Sequence, residues 1–311
     1  MAAAGAGAGL VGATGFAVNR AGAPSDSALA SALTTSLPSA TPPATPPPTP
    51  TPIPEPPVMP RGREDLVLMQ GTDWEATGTI FHSGVAGPRF MVLGGVHGNE
   101  PGGWLAAESV AEWEVQRGML IVLPRLNWRS AAQFVRTLDE AGDLNRLYPG
   151  DANGLPMAQM AAQITAVATT WRPHWLWDMH ESWGFYNERG ANSGTAFIGQ
   201  TVTIADLERA DDVRQVLLRV NAEISPREEF MMRARPGGNF GGGNSSDDDS
   251  NDGGNSFQPR GRGRSSLSMG THVAGVSPVL IEMGQMDQSE LRRSELHQLL
   301  VRSMLEHLGS V

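Results

Sequence analysis

The chain has 311 residues, no cysteine and a formal net charge of −10 at pH 7. The lack of cysteine excludes disulfides, thiolate metal ligands and a cysteine nucleophile. The negative charge argues against a nucleic-acid partner, because such binding needs a basic surface. The length suits one or two domains.

The first sixty residues are predicted to stay outside any core. Residues 2–18 are rich in Ala and Gly, and residues 23–60 are dominated by Pro, Thr, Ser and Ala. This composition favours extended, solvated chain and predicts a disordered arm over residues 1–60, followed by one domain over residues 61–311.

Residues 2–18 also have the composition of the apolar part of a secretory signal peptide, although no basic residue precedes them. They favour an exported protein, periplasmic or extracellular, over a cytoplasmic one. The stretch is too short and too rich in glycine to predict a stable membrane span.

Beyond the arm, apolar runs alternate with helical patterns, which predicts an α/β fold with a mixed, mostly parallel central sheet flanked by helices. The predicted strands cover residues 89–94, 119–123, 175–179, 195–198 and 278–281. The predicted helices cover residues 103–116, 157–170, 204–224 and 289–308.

A segment rich in Gly, Asp and Arg interrupts this alternation at residues 237–266. Its composition predicts a disordered surface insertion. A lid over an active site and a patch that binds an anionic partner are the functional alternatives.

A His-x-x-Glu pair follows one of the buried strands. Residues 91–93 are apolar, and the glycines that come next turn the chain sharply, so His97 and Glu100 can converge on one point. Zinc accepts nitrogen and oxygen ligands, and a catalytic zinc keeps three protein ligands. The pair supplies two ligands, so a zinc site needs a third from elsewhere. On its own, such a pair is more often part of an ordinary solvated turn.

Three further segments follow in a recognisable order. Residues 142–150 read Gly-Asp-Leu-Asn-Arg-Leu-Tyr-Pro-Gly, residues 175–182 read Trp-Leu-Trp-Asp-Met-His-Glu-Ser, and residues 278–284 read Pro-Val-Leu-Ile-Glu-Met-Gly. With the His-x-x-Glu pair, they resemble the zinc carboxypeptidase-like superfamily, most closely its succinylglutamate desuccinylase/aspartoacylase branch. One departure is that Asn127 is followed by tryptophan, where that branch usually has proline.

The resemblance implies that His97, Glu100 and His180 hold one zinc ion per chain. On the residues alone, a core histidine that ends a strand is the favoured interpretation of His180. The resemblance also implies that Asp143 accepts the other ring N–H of His97, which would fix the tautomer of that ring.

The resemblance makes Glu282 the general base. This glutamate lies in an apolar run, where an unpaired carboxylate is costly to bury. Arg136 is the candidate cation that stabilises the oxyanion, and Arg129 is its rival.

Asn145 and Arg146 match the family pair that binds the substrate carboxylate, for which a guanidinium fork is well suited. The implied enzyme is a zinc-dependent hydrolase that cleaves an amide bond next to a free carboxylate, as in deacylation of N-acyl amino acids. A metallocarboxypeptidase that acts on peptides or cell-wall stem peptides is the alternative. A non-catalytic binding protein is the hypothesis from another class.

Overall fold

The computed structural model describes residues 55–235 and 264–311. The disorder predicted for residues 1–54 and 237–263 lies outside the described residues and stays a prediction. Residues 55–60 have no regular secondary structure and are largely exposed. All described residues fall within one compact unit.

The described chain forms an eight-stranded sheet. Its strands are β1 (Gly62–Leu68), β2 (Ala76–His82), β3 (Arg89–Leu93), β4 (Met119–Leu123), β5 (Trp175–Ser182), β6 (Thr201–Ile204), β7 (Met231–Ala234) and β8 (Ser277–Gly284).

The strands are arranged in the order β1-β2-β4-β3-β5-β8-β6-β7. The central strands β4, β3, β5 and β8 run parallel to one another, and β2 and β6 flank them in the antiparallel direction. The predicted fold class is confirmed. Because the central strands are parallel, their carboxyl ends meet at one edge, where open α/β sheets bind ligands.

Helices cover both faces of the sheet. They are α1 (Pro101–Ala111), α2 (Trp128–Ala132), α3 (Pro156–Trp171), α4 (Ala210–Asn221), α5 (Met269–His272) and α6 (Glu290–His307). Among the described residues, no helix combines the length and hydrophobicity that a membrane crossing requires.

Alternate residues of the central strands belong to two separate hydrophobic clusters. In β3, Phe90 and Val92 pack with α1, α4 and α6, whereas Met91 and Leu93 pack with α3 and α5. A strand buried on both faces reads as a continuous apolar run, which explains why β3 and β4 were predictable from the sequence.

One predicted strand was wrong, and one predicted helix begins later than expected. Residues 195–198 are not a strand, because Gly194–Phe197 forms a 3-10 turn and the strand is β6, whose four residues are all β-branched. The helix predicted over residues 204–224 begins later, at Ala210. Asp206 caps a separate 3-10 turn before it by accepting from the Glu208 N–H.

The predicted insertion also extends too far at its carboxyl end. The Arg264 N–H donates to the Arg146 carbonyl at 3.0 Å, and Ser265 and Ser266 are fully buried. These last residues of the predicted segment therefore belong to the folded domain.

Candidate active site

The turn between β3 and α1 carries His97 and Glu100. Both side chains are buried. A Cβ added at Gly98 would collide with the backbone of Ser130 in α2. The turn therefore packs directly on α2, and only glycine fits at position 98.

His180 lies near the carboxyl end of β5 and completes a three-residue cluster. The potential ligand atoms of His97, Glu100 and His180 all lie within 4.8 Å of one another. Glu100 Oε1 is 2.6 Å from His97 Nδ1, and Glu100 Oε2 is 2.9 Å from His180 Nδ1. The two Nδ1 atoms are 3.1 Å apart. The structure thus brings together the three predicted ligands.

The outer ring nitrogens of both histidines face carboxylates. His97 Nε2 is 3.2 Å from Asp143 Oδ1, and His180 Nε2 is 2.9 Å from Asp178 Oδ2. A carboxylate accepts hydrogen bonds, so Asp143 and Asp178 can each accept an N–H from the Nε2 that faces them. With the proton on Nε2, two neutral rings would direct their Nδ1 lone pairs, beside the Glu100 carboxylate, at one point, which is a donor set suited to a divalent cation such as zinc.

Asp178 is a functional residue that the sequence analysis did not assign. It is fully buried in β5, two residues before His180 and therefore on the same face of the strand. A charged residue inside an apolar run, two positions before a candidate ligand, was the available signal.

The charges of the cluster shift the pKa values of its members. Burial alone would lower the pKa of His180, but Asp178 and Glu100 outweigh it and raise that pKa well above its ordinary value. Burial would likewise raise the pKa of Asp143, yet His97 and Arg136 hold it well below its usual range. The carboxyls of Glu100 and Asp143 therefore stay ionised.

Arg136 lies at the edge of this cluster. Its Nε and Nη2 atoms donate to Asp143 Oδ2 at 3.2 and 3.0 Å, and its Nη1 is 3.8 Å from Glu100 Oε1. The rival Arg129 instead stacks over the ring of Trp74, 4.5 Å from the ring centre. Of the two arginines, Arg136 is the one that the structure places beside the candidate ligands.

Asn145 and Arg146 lie in a 3-10 turn that Asp143 caps by accepting the Asn145 backbone N–H at 2.9 Å. The Asn145 side chain is buried, and its Oδ1 has no hydrogen-bond partner among the described residues. Arg146 is close enough to contribute to the lowered pKa of Asp143. The predicted carboxylate-binding pair therefore adjoins the cluster through Asp143.

Glu282 lies in β8 directly opposite His180 of β5. Alternation along the two strands places both side chains on the same face of the sheet. Burial raises the pKa of Glu282 to about 8. A cation bound at the neighbouring cluster would favour the ionised form of this carboxyl, in which it can act as a general base.

This raised pKa predicts how the stability of the metal-free protein depends on pH. Between the ordinary value of 4.5 and about 8, the folded state holds a proton that the unfolded state has released. The free energy of unfolding therefore falls by about 1.4 kcal/mol per pH unit as the pH rises through this window. We expect the Tm of the metal-free protein to fall more steeply across this window than that of Glu282→Gln, as measured by circular dichroism. Parallel curves would contradict the burial of this carboxyl.

A family model supports the resemblance carried by these motifs. The model of the succinylglutamate desuccinylase/aspartoacylase catalytic domain matches residues 86–183. The resemblance to the succinylglutamate desuccinylase/aspartoacylase branch is thereby confirmed over these residues. The matched stretch includes His97, Glu100 and His180, whereas Glu282 lies beyond it. No curated protein sequence matches the chain.

Solved structures share the fold at low sequence identity. Product-bound Csd4, a cell shape determinant protein of Helicobacter pylori, is 16% identical with a TM-score of 0.58, over 81% of this chain and 56% of Csd4. The succinylglutamate desuccinylase/aspartoacylase of Rhodobacter sphaeroides is 18% identical with a TM-score of 0.53, over 81% of this chain and 66% of that protein. The ectoine utilization protein EutE of Ruegeria pomeroyi is 17% identical with a TM-score of 0.52, over 82% and 70%. The chain thus spans little more than half the length of Csd4.

Proposed function

We propose that this protein is a zinc-dependent hydrolase that cleaves an amide bond next to a free carboxylate. The observation that carries the proposal is the convergence of His97, Glu100 and His180, with the buried carboxyl of Glu282 opposite. These three residues would hold one zinc ion and leave a coordination position open, as catalytic zinc sites do.

Each residue of the site has a role in the proposed reaction. A zinc ion bound by His97, Glu100 and His180 would supply Lewis-acid activation of the carbonyl and of water. Glu282 takes a proton from the attacking water and returns it to the leaving amine. Arg136 carries the positive charge that stabilises the oxyanion of the tetrahedral intermediate. Asp143 and Asp178 hold the two imidazoles in the orientation that directs Nδ1 inward.

The substrate carboxylate is assigned to Asn145 and Arg146. Arg146 provides a planar guanidinium that matches a carboxylate, and the buried Asn145 amide adjoins it. N-acyl amino acids are the first substrate class, in keeping with the matching family. Peptides or cell-wall stem peptides are the second, favoured by the likeness of the fold to Csd4, which is described as a D,L-carboxypeptidase.

A substrate screen tests the proposal and separates the two classes. Zinc-loaded and chelator-treated protein would be assayed with N-acyl amino acids, and with short peptides that end in a carboxylate or an amide. Zinc-dependent release of the amino acid from a substrate with a free carboxylate supports the proposal. Turnover that survives removal of the metal, or no turnover of either class, would refute it.

Arg146→Ala should lower kcat/KM for substrates with a free carboxylate far more than for the corresponding amides. The charge-assisted bidentate contact is lost only for a substrate with a free carboxylate, so kcat/KM for the acid should fall by about 10-fold to 100-fold. The amide should change little. Steady-state kinetics on a matched acid and amide would measure the difference.

Arg129→Ala is the matched control, because this arginine stacks on the ring of Trp74. It should leave the ratio of acid to amide activity unchanged. If Arg146→Ala lowered kcat/KM equally for the acid and the amide, Arg146 would not bind the substrate carboxylate.

A further inference from the structure

Gln285 stands immediately after β8, where the chain turns back against the end of β5. Its backbone N–H donates to the carbonyls of Ser182 and Trp183 at 2.9 and 3.1 Å. Its side-chain Nε2 donates to the Asn99 carbonyl at 2.9 Å and to Glu181 Oε2 at 3.0 Å. Both partners of the side chain are acceptors, so the amide group uses its two protons on two separate segments.

These two segments are the ones that hold the candidate ligands. Asn99 lies in the turn between His97 and Glu100, and Glu181 follows His180 directly. One side-chain amide therefore connects the turn that carries two ligands to the strand that carries the third. Gln285 itself directly follows β8, the strand that carries Glu282.

Glu181 is itself fixed on the side away from the ligands. Its carboxylate is buried, and its Oε1 is 3.0 Å from Arg293 Nε in α6. A Cβ added at Gly102, in the first turn of α1, would collide with this carboxylate. Because α1 packs closely against Glu181 and Arg293 pairs with it, the Gln285 amide bonds to a partner with little room to move.

We propose that Gln285 is a positioning residue, which sets the distance between the His97–Glu100 turn and His180 and thereby the affinity and geometry of metal binding. This inference rests on the proposed function. Small losses of register matter at such a site, because ligands must be held within about 0.5 Å of their productive positions. Hydrogen bonds one layer outside the ligands typically contribute 10-fold to 100-fold in metal affinity or activity.

Gln285→Met tests the inference, because methionine has a similar length and donates no hydrogen bond. The zinc dissociation constant, measured by chelator competition, should rise by about 10-fold. The visible absorption bands of the cobalt-substituted protein should shift, since they report the coordination geometry. Gln285→Asn, which keeps the amide but cannot reach both acceptors, should change both readouts in the same direction by less.

Gln288→Met is the matched control. Within residues 55–235 and 264–311, the side chain of Gln288 donates only to the Gly284 carbonyl of its own turn, at 2.7 Å. Zinc affinity in this variant should stay within about twofold of the wild type. The same loss in both methionine variants would overturn the inference, because it would show a general effect on the turn.

Hydrogen exchange of the metal-free proteins provides a readout that needs no zinc. Amides in residues 97–100 should exchange faster in Gln285→Met than in the wild type or in Gln288→Met, because the turn has lost its connection to β5. Unchanged exchange in this turn would overturn the inference, as would unchanged zinc affinity. If the wild type itself bound no zinc, the proposed function would fail and the metal role of Gln285 with it, whereas exchange would still show whether Gln285 holds the turn.

Discussion

Glu282→Gln should lower turnover by about 10²-fold to 10⁴-fold while zinc content stays at the wild-type level. Glutamine keeps the shape of the side chain but cannot take a proton from water. The ligands are carried by other segments, so their positions should be unaffected. Measurement of kcat together with elemental analysis of the same preparation would separate the loss of the base from a loss of metal.

Glu306→Gln is a suitable control, because this exposed glutamate lies in the last turn of α6. The same chemical change there should leave turnover unaltered. The role assigned to Glu282 would be wrong if Glu282→Gln retained activity within about tenfold of the wild type.

The combined variant His97→Ala and His180→Ala should lose its zinc altogether. Only Glu100 of the three candidate ligands would remain, and a single carboxylate binds zinc too weakly for the ion to stay bound during purification. Elemental analysis should show about one zinc per chain in the wild type and almost none in the variant. Activity should disappear with the metal.

Two checks accompany this variant. Its removal of both imidazoles leaves the buried Asp178 without its hydrogen-bond partner, so circular dichroism must show that the variant is folded. His307→Ala is the control, because His307 bonds Asp212 at 2.8 Å and has no part in the cluster. Equal zinc in the folded variant and in the wild type would place the metal elsewhere.

The candidate ligands could be predicted from the sequence because each belongs to a short local motif. His97 and Glu100 share one turn, and His180 ends an apolar run that has to be a buried strand. The same locality made the helices near residues 157–170 and 289–308 predictable, since they appear as α3 and α6 within one residue at each end.

Other parts of the fold depend on contacts that a single sequence does not contain. Strand β1 carries exposed charged residues at the edge of the sheet, and β7 has only four residues, so neither has a clear apolar pattern. Both strands form because a neighbouring strand offers its backbone for pairing.

The residues that position the candidate ligands could not be predicted from the sequence for the same reason. Gln285 is 186 residues from Asn99 in sequence, and the relation between them appears only when β8 pairs with β5. The choice between Arg136 and Arg129 also required the fold, because the two arginines are only seven residues apart and only Arg136, beyond the end of α2, bonds Asp143.

Zinc titration of the chelator-treated protein tests the central claim most directly, with hydrolysis of a substrate that bears a free carboxylate as the readout. The account predicts that activity is absent without metal, rises in proportion to added zinc and stops rising at one zinc per chain. Full activity in the metal-free protein, or zinc binding that restores no hydrolysis of any such substrate, would contradict it.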